Sequence, residues 1–391
     1  MFLRKTPIPW LQLKYQRAQT IAAVLGIAFT TILLFMQIGF RSSFLNTLTD
    51  LPSAIRADIF LMNASTVSVL KPSSFSQHRL FQTLAIDGVE SIKPLYWAGL
   101  LMRDPEGNPD YLRNIVTLGF SPANSPIAVP GVDNNIELLK RADVFLMDDK
   151  SRPEFNPIIE QVAQGVRYDI EVRAGANQQR IYIENLFSIG ANTTANTHLF
   201  TSDVTFWDIF NRDRNRIDVG LITLKEGADP EQVRQAIEDY LPGDVRVLTK
   251  SQLLSGERSH YEFNTPIGVI FRFGLFGAIA VGIIILYQIL FQIISKYIKD
   301  YATLKAIGFS DLKLKFIVLS AAILLAVLGF VPGVMLSWGM YQYISASASL
   351  KFEMSPGIVL FVFTTICFIC LVSAILAVRK LRDADPADLF G

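Results

Sequence analysis

Cysteine and charge are both scarce in this chain of 391 residues. It has two cysteines, Cys367 and Cys370, and only 18% of its residues are charged, whereas soluble domains carry about 25%. No disulfide framework can therefore stabilise the rest of the chain. The formal net charge is +1, which excludes nucleic-acid binding driven by bulk electrostatics. Hydrophobic residues make up 51% of the chain, so their distribution decides the class of protein.

Sequence motifs for catalysis and nucleotide binding are absent. The chain contains no Gly-x-x-x-x-Gly-Lys-[Ser/Thr], no His-Glu-x-x-His and no Gly-x-Ser-x-Gly. Its three histidines, His78, His198 and His260, lack the spacing of metal ligands, and we expect each to lie at the surface. We therefore expect no enzyme activity, no metal and no cofactor in this chain, which favours a transport or signalling component.

Four apolar segments are each long enough to cross a membrane, which takes about 20 residues. They cover residues 20–40, 267–294, 316–341 and 358–378, and residues 41–266 between the first two have an ordinary soluble composition. The predicted fold class is a membrane protein with four transmembrane α-helices and a large external α+β domain.

Lysine and arginine are concentrated in residues 1–19, 295–315 and 379–391, and the short loop 342–357 has one residue of each sign. Because basic flanks stay in the cytoplasm, both termini and the 295–315 loop are predicted to be cytoplasmic. Residues 41–266 hold 22 basic and 29 acidic residues, a net charge of −7, against +8 for the remainder. This partition places the large domain on the opposite side of the membrane.

The two ends of the large domain have the same β-α-β pattern, in about residues 50–103 and 216–250. Such a pair predicts a ferredoxin-like sheet with helices on one face. About residues 104–215 would form an inserted β-rich lobe, although a single irregular α+β domain is an alternative. The predicted elements are strands 58–62, 89–101, 218–224 and 245–248, helices 76–85 and 230–241, and lobe strands 115–119, 144–147, 168–172 and 180–183.

Few side chains inside the spans are polar. Gln288 and Gln292 lie one turn apart, which indicates either a polar substrate route or, as we favour, interhelical hydrogen bonds. Pro332 and Gly333 predict a helix kink. The pair of cysteines, within the fourth span, is more typical of packing residues than of a metal or redox site.

One cytoplasmic segment between the second and third spans predicts a short helix for docking a cytosolic partner. Ala302 and Ala306 give it a small-residue face, and Gly308 can end it. The pattern Asp300-x-Ala302-x-x-x-Ala306-x-Gly308 resembles the Glu-x-Gly-x-x-x-Ala-x-Gly motif of the FtsX/MacB superfamily of ABC-transporter permeases, with the acid shortened and the first glycine replaced. The resemblance implies an ATPase-docking helix with Asp300, Ala302, Leu304, Lys305, Ala306 and Gly308.

Within that superfamily the chain looks most like DevC-type permeases, which also lack a fused ATPase. The resemblance implies a homodimer in a bacterial inner membrane, with a periplasmic large domain. It also implies three partners: a cytosolic ABC ATPase that binds ATP, a HlyD-like membrane fusion protein and a TolC-type outer-membrane channel. The implied function is ATP-driven export by mechanotransmission, with a glycolipid or another amphiphile as substrate. Two alternatives stay open, an FtsX-like regulator of periplasmic hydrolases and a lipoprotein-releasing permease.

Overall fold

The computed structural model describes Tyr15 and residues 17–103, 112–175, 177–189, 195–296, 310–348 and 352–382. The chain divides into two compact units. The first comprises residues 1–42, 269–345 and 352–391, and the second comprises residues 43–268 with 346–351.

Ten α-helices occur in the described residues. They are α1 (Arg17–Ala54), α2 (Gln77–Gln82), α3 (Val132–Asn135), α4 (Asn156–Ala163), α5 (Asp203–Phe210), α6 (Pro230–Tyr240), α7 (Lys250–Phe263), α8 (Pro266–Lys296), α9 (Asp311–Ala348) and α10 (Pro356–Arg382). Short 3-10 helices cover Thr83–Ala85, Ile136–Lys140 and Pro153–Phe155.

Eleven strands accompany them in the described residues. They are β1 (Ile59–Asn63), β2 (Phe75–Ser76), β3 (Val89–Arg103), β4 (Leu112–Phe120), β5 (Val144–Asp148), β6 (Tyr168–Ala174), β7 (Asn177–Phe187), β8 (Thr197–Ser202), β9 (Arg216–Ile217), β10 (Val219–Leu224) and β11 (Val245–Thr249).

Helices α1, α8, α9 and α10 are long and apolar enough to cross a membrane. Each contains one of the four predicted spans, so the number and position of the apolar helices are confirmed. Two of them run well past the apolar segment that predicted them. Helix α1 ends at Ala54 instead of near residue 40, and α9 ends at Ala348 instead of near residue 341.

Two glycines of α9 allow this helix to pack closely against α1. A Cβ atom on Gly329 would lie 2.5 Å from the Cβ of Ile27, and one on Gly333 would lie 2.6 Å from the Cβ of Thr31. Small residues four positions apart let two helix backbones approach in this way. Helix α9 is continuous through Pro332, and the kink predicted at Pro332 and Gly333 stays a prediction.

A buried tyrosine adds a polar contact to the same pair of helices. Tyr341 of α9 is 1% exposed, and its hydroxyl donates to the Phe35 carbonyl of α1 at 2.5 Å. Burying a hydroxyl in an apolar core costs free energy unless the hydroxyl forms a hydrogen bond. This bond therefore fixes the position of α9 along the axis of α1.

The second unit contains a nine-stranded sheet in the order β11-β1-β10-β3-β4-β8-β5-β7-β6. Strand β3 is long enough to belong to both halves of it. Its residues from Val89 to Leu95 pair with β10, and those from Tyr96 to Arg103 pair with β4. The lobe sheet therefore begins inside β3 rather than at residue 104, where the pattern of turn residues placed its start.

The four strands β11, β1, β10 and β3 are all antiparallel to their neighbours. One face of this sheet packs against α2 and α6 through buried Leu80, Val233 and Ile237. Helix α6 begins as its sequence predicts, because the Asp229 side chain accepts from the Glu231 amide and Pro230 follows the cap. The two predicted β-α-β units are thus present as strands and helices, in an interleaved order.

In the lobe the four predicted strands are present as β4, β5, β6 and β7, but the central strand β8 was missed. All six of its residues are buried, and several of them are polar. Alternation of polar and apolar residues, which reveals a half-buried strand, is therefore absent. The Thr201 hydroxyl donates to the Val144 carbonyl at 2.9 Å, which satisfies one of these polar groups.

The surface position predicted for His198 is wrong. This β8 residue is 1% exposed, and its Nδ1 lies 3.6 Å from Oδ2 of Asp148, which is fully buried. His78 is exposed and His260 is half-buried. The Asp148 carboxylate is a charged group beside this buried ring, at a distance longer than a hydrogen bond.

We expect Gly333→Leu to destabilise the protein, because the added side chain must enter the space of Thr31. Overpacking of this kind costs about 1–3 kcal/mol. Gly339→Leu in the same helix is the matched control, since nothing lies within 4 Å of a Cβ added there. Thermal unfolding of the purified chain in detergent measures both, and an equal loss of Tm in the two variants would contradict the packing role.

Candidate functional site

The predicted ATPase-docking residues lie outside the described residues. Helix α8 is described to Lys296 and α9 from Asp311, and the gap 297–309 between them contains Asp300, Ala302, Leu304, Lys305, Ala306 and Gly308. At the start of α9, Leu312 and Phe316 are 78% and 73% exposed. They lie one helical turn apart on the same face of α9. We call these two exposed side chains, Leu312 and Phe316, the open apolar pair.

Gln288 and Gln292 are both exposed on α8. Neither side chain forms a hydrogen bond with another part of the chain that the structure describes. The interhelical contact predicted for them therefore stays a prediction.

No group of three or more His, Cys, Asp or Glu side chains that could hold a metal occurs in the described ranges. Polar contacts join two helical segments of the second unit. We call these two segments, residues 43–54 of α1 and residues 250–263 of α7, the stalk.

The two stalk helices are joined at three places. The Arg258 guanidinium donates to Oδ1 of Asn46 at 3.0 Å. At one end, the rings of Phe44 and Tyr261 meet edge to face with their centroids 6.2 Å apart. At the other end, the Lys250 ammonium donates to the carbonyl of Ile55, the residue that directly follows α1, at 2.8 Å, and burial lowers the pKa of that ammonium. Contacts at both ends and in the middle make the pair resist relative sliding.

Apolar side chains of both stalk helices are buried as well. Leu48 and Leu51 of α1 and Leu253 of α7 are each at most 2% exposed. Helix α7 starts at a capping box in which the Thr249 side chain accepts from the Gln252 amide and the Gln252 side chain accepts from Thr249. This cap fixes the start of α7 directly after strand β11. The stalk is therefore fastened to the sheet.

Glu257 fastens α7 to a third element, the loop that follows β1. Its carboxylate accepts the Ser68 hydroxyl at 2.8 Å and the Val69 amide at 2.6 Å, and the residue is 3% exposed. Burial raises the pKa of Glu257, because removal from water disfavours the charged form by more than the two hydrogen bonds favour it. The loop and the stalk thus depend on the same buried carboxyl group.

Sequence reasoning missed the stalk contacts, although one local signal was available. The Thr249-x-x-Gln252 pattern is a capping box and predicts a helix start, yet residues 251–263 received no assignment. The pairing of Arg258 with Asn46 has no local signal, because the two residues are 212 positions apart.

We expect Glu257→Gln to raise the Tm at pH 8 and to leave it almost unchanged near pH 4. The folded-state pKa of Glu257 is raised, so the stability that comes from its protonated form is complete below the unfolded-state pKa. That stability is lost as the pH rises through the folded-state pKa. Glutamine stays neutral and avoids the loss. Thermal unfolding from pH 4 to 8 tests this, with exposed Glu226→Gln as the control, and a pH-independent difference would contradict it.

Comparison with curated proteins finds no match to this chain. Three solved structures are similar to part of it. The periplasmic region of MacB from Actinobacillus actinomycetemcomitans is 9% identical with a TM-score of 0.36, over 52% of this chain and 94% of that one. The extracellular domain of the noncanonic ABC-type transporter YknZ from Gram-positive bacteria is 12% identical with a TM-score of 0.33, over 49% and 99%. A domain of a putative permease protein from Porphyromonas gingivalis is 15% identical with a TM-score of 0.29, over 50% and 90%.

The sequence profile of one family matches the C-terminal part of the chain. The family is described as FtsX-like permease C-terminal, and the match covers residues 272–386. Those residues include most of α8 and all of α9 and α10. Residues 272–386 of this chain are therefore similar to the FtsX-like permease C-terminal family.

Proposed function

We propose that this chain is the membrane-spanning permease subunit of an ATP-driven ABC exporter. The FtsX-like match and the four apolar helices support a permease. The sequence contains no Gly-x-x-x-x-Gly-Lys-[Ser/Thr] loop, so ATP would be bound and hydrolysed by a separate cytosolic ATPase subunit. In this proposal the chain itself is not an enzyme, and its cytoplasmic surface receives the ATPase.

The ATPase would dock on residues 300–308, next to the open apolar pair Leu312 and Phe316. Ala302 and Ala306 would form the close contact, since alanine allows another backbone to approach. The basic residues of segment 295–315 support its cytoplasmic position, and with it cytoplasmic termini and a large domain on the outer side of a bacterial inner membrane.

The stalk is the observation that carries the proposed mechanism, which is mechanotransmission. Helix α1 is one continuous helix from Arg17 to Ala54, and its last part is fastened to α7 at both ends and in the middle. A packed helix pair transmits displacement because protein interiors have low compressibility. Movement of the spans driven by the ATPase would therefore reach the sheet of the large domain without substrate passing between the spans.

The remaining parts of the proposal concern assembly. The interleaved sheet β11-β1-β10-β3 supports a ferredoxin-like part, with the lobe as the surface for a HlyD-like fusion protein and a TolC-type channel beyond it. Exposed Gln288 and Gln292 support a homodimer through α8. The DevC-type subfamily and a glycolipid or another amphiphile as substrate complete the proposal.

Affinity purification in mild detergent tests the ATPase partnership. We expect the full chain to bring down an ABC ATPase and the complex to hydrolyse ATP, whereas the chain alone does not. Ala306→Arg should reduce the recovered ATPase at least about tenfold, because a long charged side chain blocks the small face. Ala85→Arg, at an exposed position of the large domain, is the matched control. Unchanged recovery with Ala306→Arg would refute the docking role.

Arg258→Leu tests transmission separately from docking. We expect this variant to bind the ATPase normally but to show a smaller ATP-dependent movement of the large domain, because the middle contact of the stalk is lost. Spin labels at Lys71→Cys in the two copies, with Cys367 and Cys370 replaced by alanine, report that movement as a distance change. Arg234→Leu removes an arginine whose ion pairs lie within α6 and is the control. An equal distance change in both variants would refute transmission through the stalk.

A further inference from the structure

A cavity of about 540 Å³ opens in the first unit between α9 and the start of α10. Its size is within the range of small-molecule sites, about 300–1,000 Å³. Its wall on α10 is a single helical stripe, formed by Pro356, Val359, Leu360 and Phe363. None of the described residues that line the cavity carries a charge, so this lining suits an apolar occupant.

The cavity reaches from the end of a span into the hydrocarbon. On α9, Gln342 directly follows the apolar segment 316–341, and Trp338 lies within its last turn. Tryptophan is typical of the level at which hydrocarbon meets the headgroups. Phe330 lies eight residues before Trp338, about 12 Å further along the helix axis. One end of the cavity is therefore at the membrane surface, and the other is in the hydrocarbon.

Aromatic rings form the wall at the inner end. Phe330 and Phe363 are the lining residues of α9 and α10 that lie farthest from the connection 342–357. Their rings meet edge to face with centroids 5.0 Å apart. Nearer the surface, the Tyr341 hydroxyl already donates to the Phe35 carbonyl, so Tyr341 contributes its ring to the lining.

Hydrogen-bond donors are found at the surface end of the cavity. The Trp338 indole N–H and the Gln342 amide can each donate to an ester or phosphate oxygen. Polar atoms at the surface and carbon at the inner end follow the same order as in a membrane lipid.

Acyl chains of the bilayer are present at the depth of this cavity. An apolar wall without a neighbour loses dispersion contacts, and a hydrocarbon chain restores them. We propose that this cavity binds one acyl chain of a membrane lipid. The chain end lies at Phe330 and Phe363, and the polar oxygen atoms of the lipid lie near Trp338 and Gln342.

Photo-cross-linking tests the proposal with the full-length chain in lipid nanodiscs. The probe is phosphatidylcholine with a diazirine near the end of one acyl chain, added at a low fraction of the total lipid. Light joins the diazirine to whatever side chain is next to it, and mass spectrometry of peptides locates the product. The proposal does not rest on the proposed function, because a lipid site can exist with or without an ATPase partner.

We expect cross-links at Phe330 and Phe363 at least about fivefold more often than at Phe273, since dispersion contacts with the rings hold the chain end there. Phe330 and Phe363 are half-buried, whereas Phe273 is 73% exposed. Phe273 lies in α8, seven residues after Pro266, just as Phe363 lies seven residues after Pro356. Lipid that only surrounds the protein would instead label the exposed Phe273 more.

A variant that fills the cavity supplies the second measurement. Val359→Phe should lower the yield at Phe330 and Phe363 at least about fivefold, because the added ring takes the space of the chain. Val327→Phe is the matched control, since Val327 is 42% exposed on α9 and outside the lining, and it should label like the wild type. The yield at Phe273 should be the same in both variants.

A yield at Phe273 equal to or above that at Phe330 and Phe363 would overturn the proposal. So would wild-type labelling of these two residues in Val359→Phe. The wild-type comparison needs no substitution, so the test stays decisive if Val359→Phe is unstable. Because no ATPase is present in these measurements, failure of the ATPase partnership would leave their outcome unaffected.

Discussion

The unbroken helix α1 is the constraint on which the rest of the molecule depends. From Arg17 to Ala54 it would measure about 57 Å at 1.5 Å per residue, whereas the hydrocarbon core of a bilayer is about 30 Å thick. An unbroken helix of this length must continue into water at one end at least. Its water-exposed part needs a partner for its apolar side chains, and α7 provides one for Phe44 through Tyr261.

Helix α1 is held along its length by close contacts with other helices. In the first unit the small residues Gly329 and Gly333 admit Ile27 and Thr31, and Tyr341 adds one hydrogen bond to the backbone of α1. In the second unit the contact is made by long side chains instead, with Arg258 reaching Asn46. Shape complementarity dominates where the surroundings are apolar, and polar contacts dominate where water is the solvent.

Local signals in the sequence predicted most of the helices and strands. Contacts between residues far apart in the chain could not be predicted from such signals. The four spans follow from hydropathy, and α6 follows from the Asp229 cap, because both depend on neighbouring residues. Strand β8 was missed because it is buried on both faces, and His198 was misplaced because its partner Asp148 lies on another strand. The stalk contacts join residues about 200 positions apart, and the proposed docking residues 300–308 lie outside the described part of the chain.

Strand β3 has a consequence for the modularity of the large domain. Because one strand serves both halves of the sheet, residues 104–215 cannot be removed as an independent module. Their removal would leave Trp97, Leu100 and Met102, all now at most 3% exposed, on a bare sheet edge. An exposed apolar edge of this kind pairs readily with other chains and leads to aggregation. Truncated forms intended to isolate either half should therefore keep all of β3 covered.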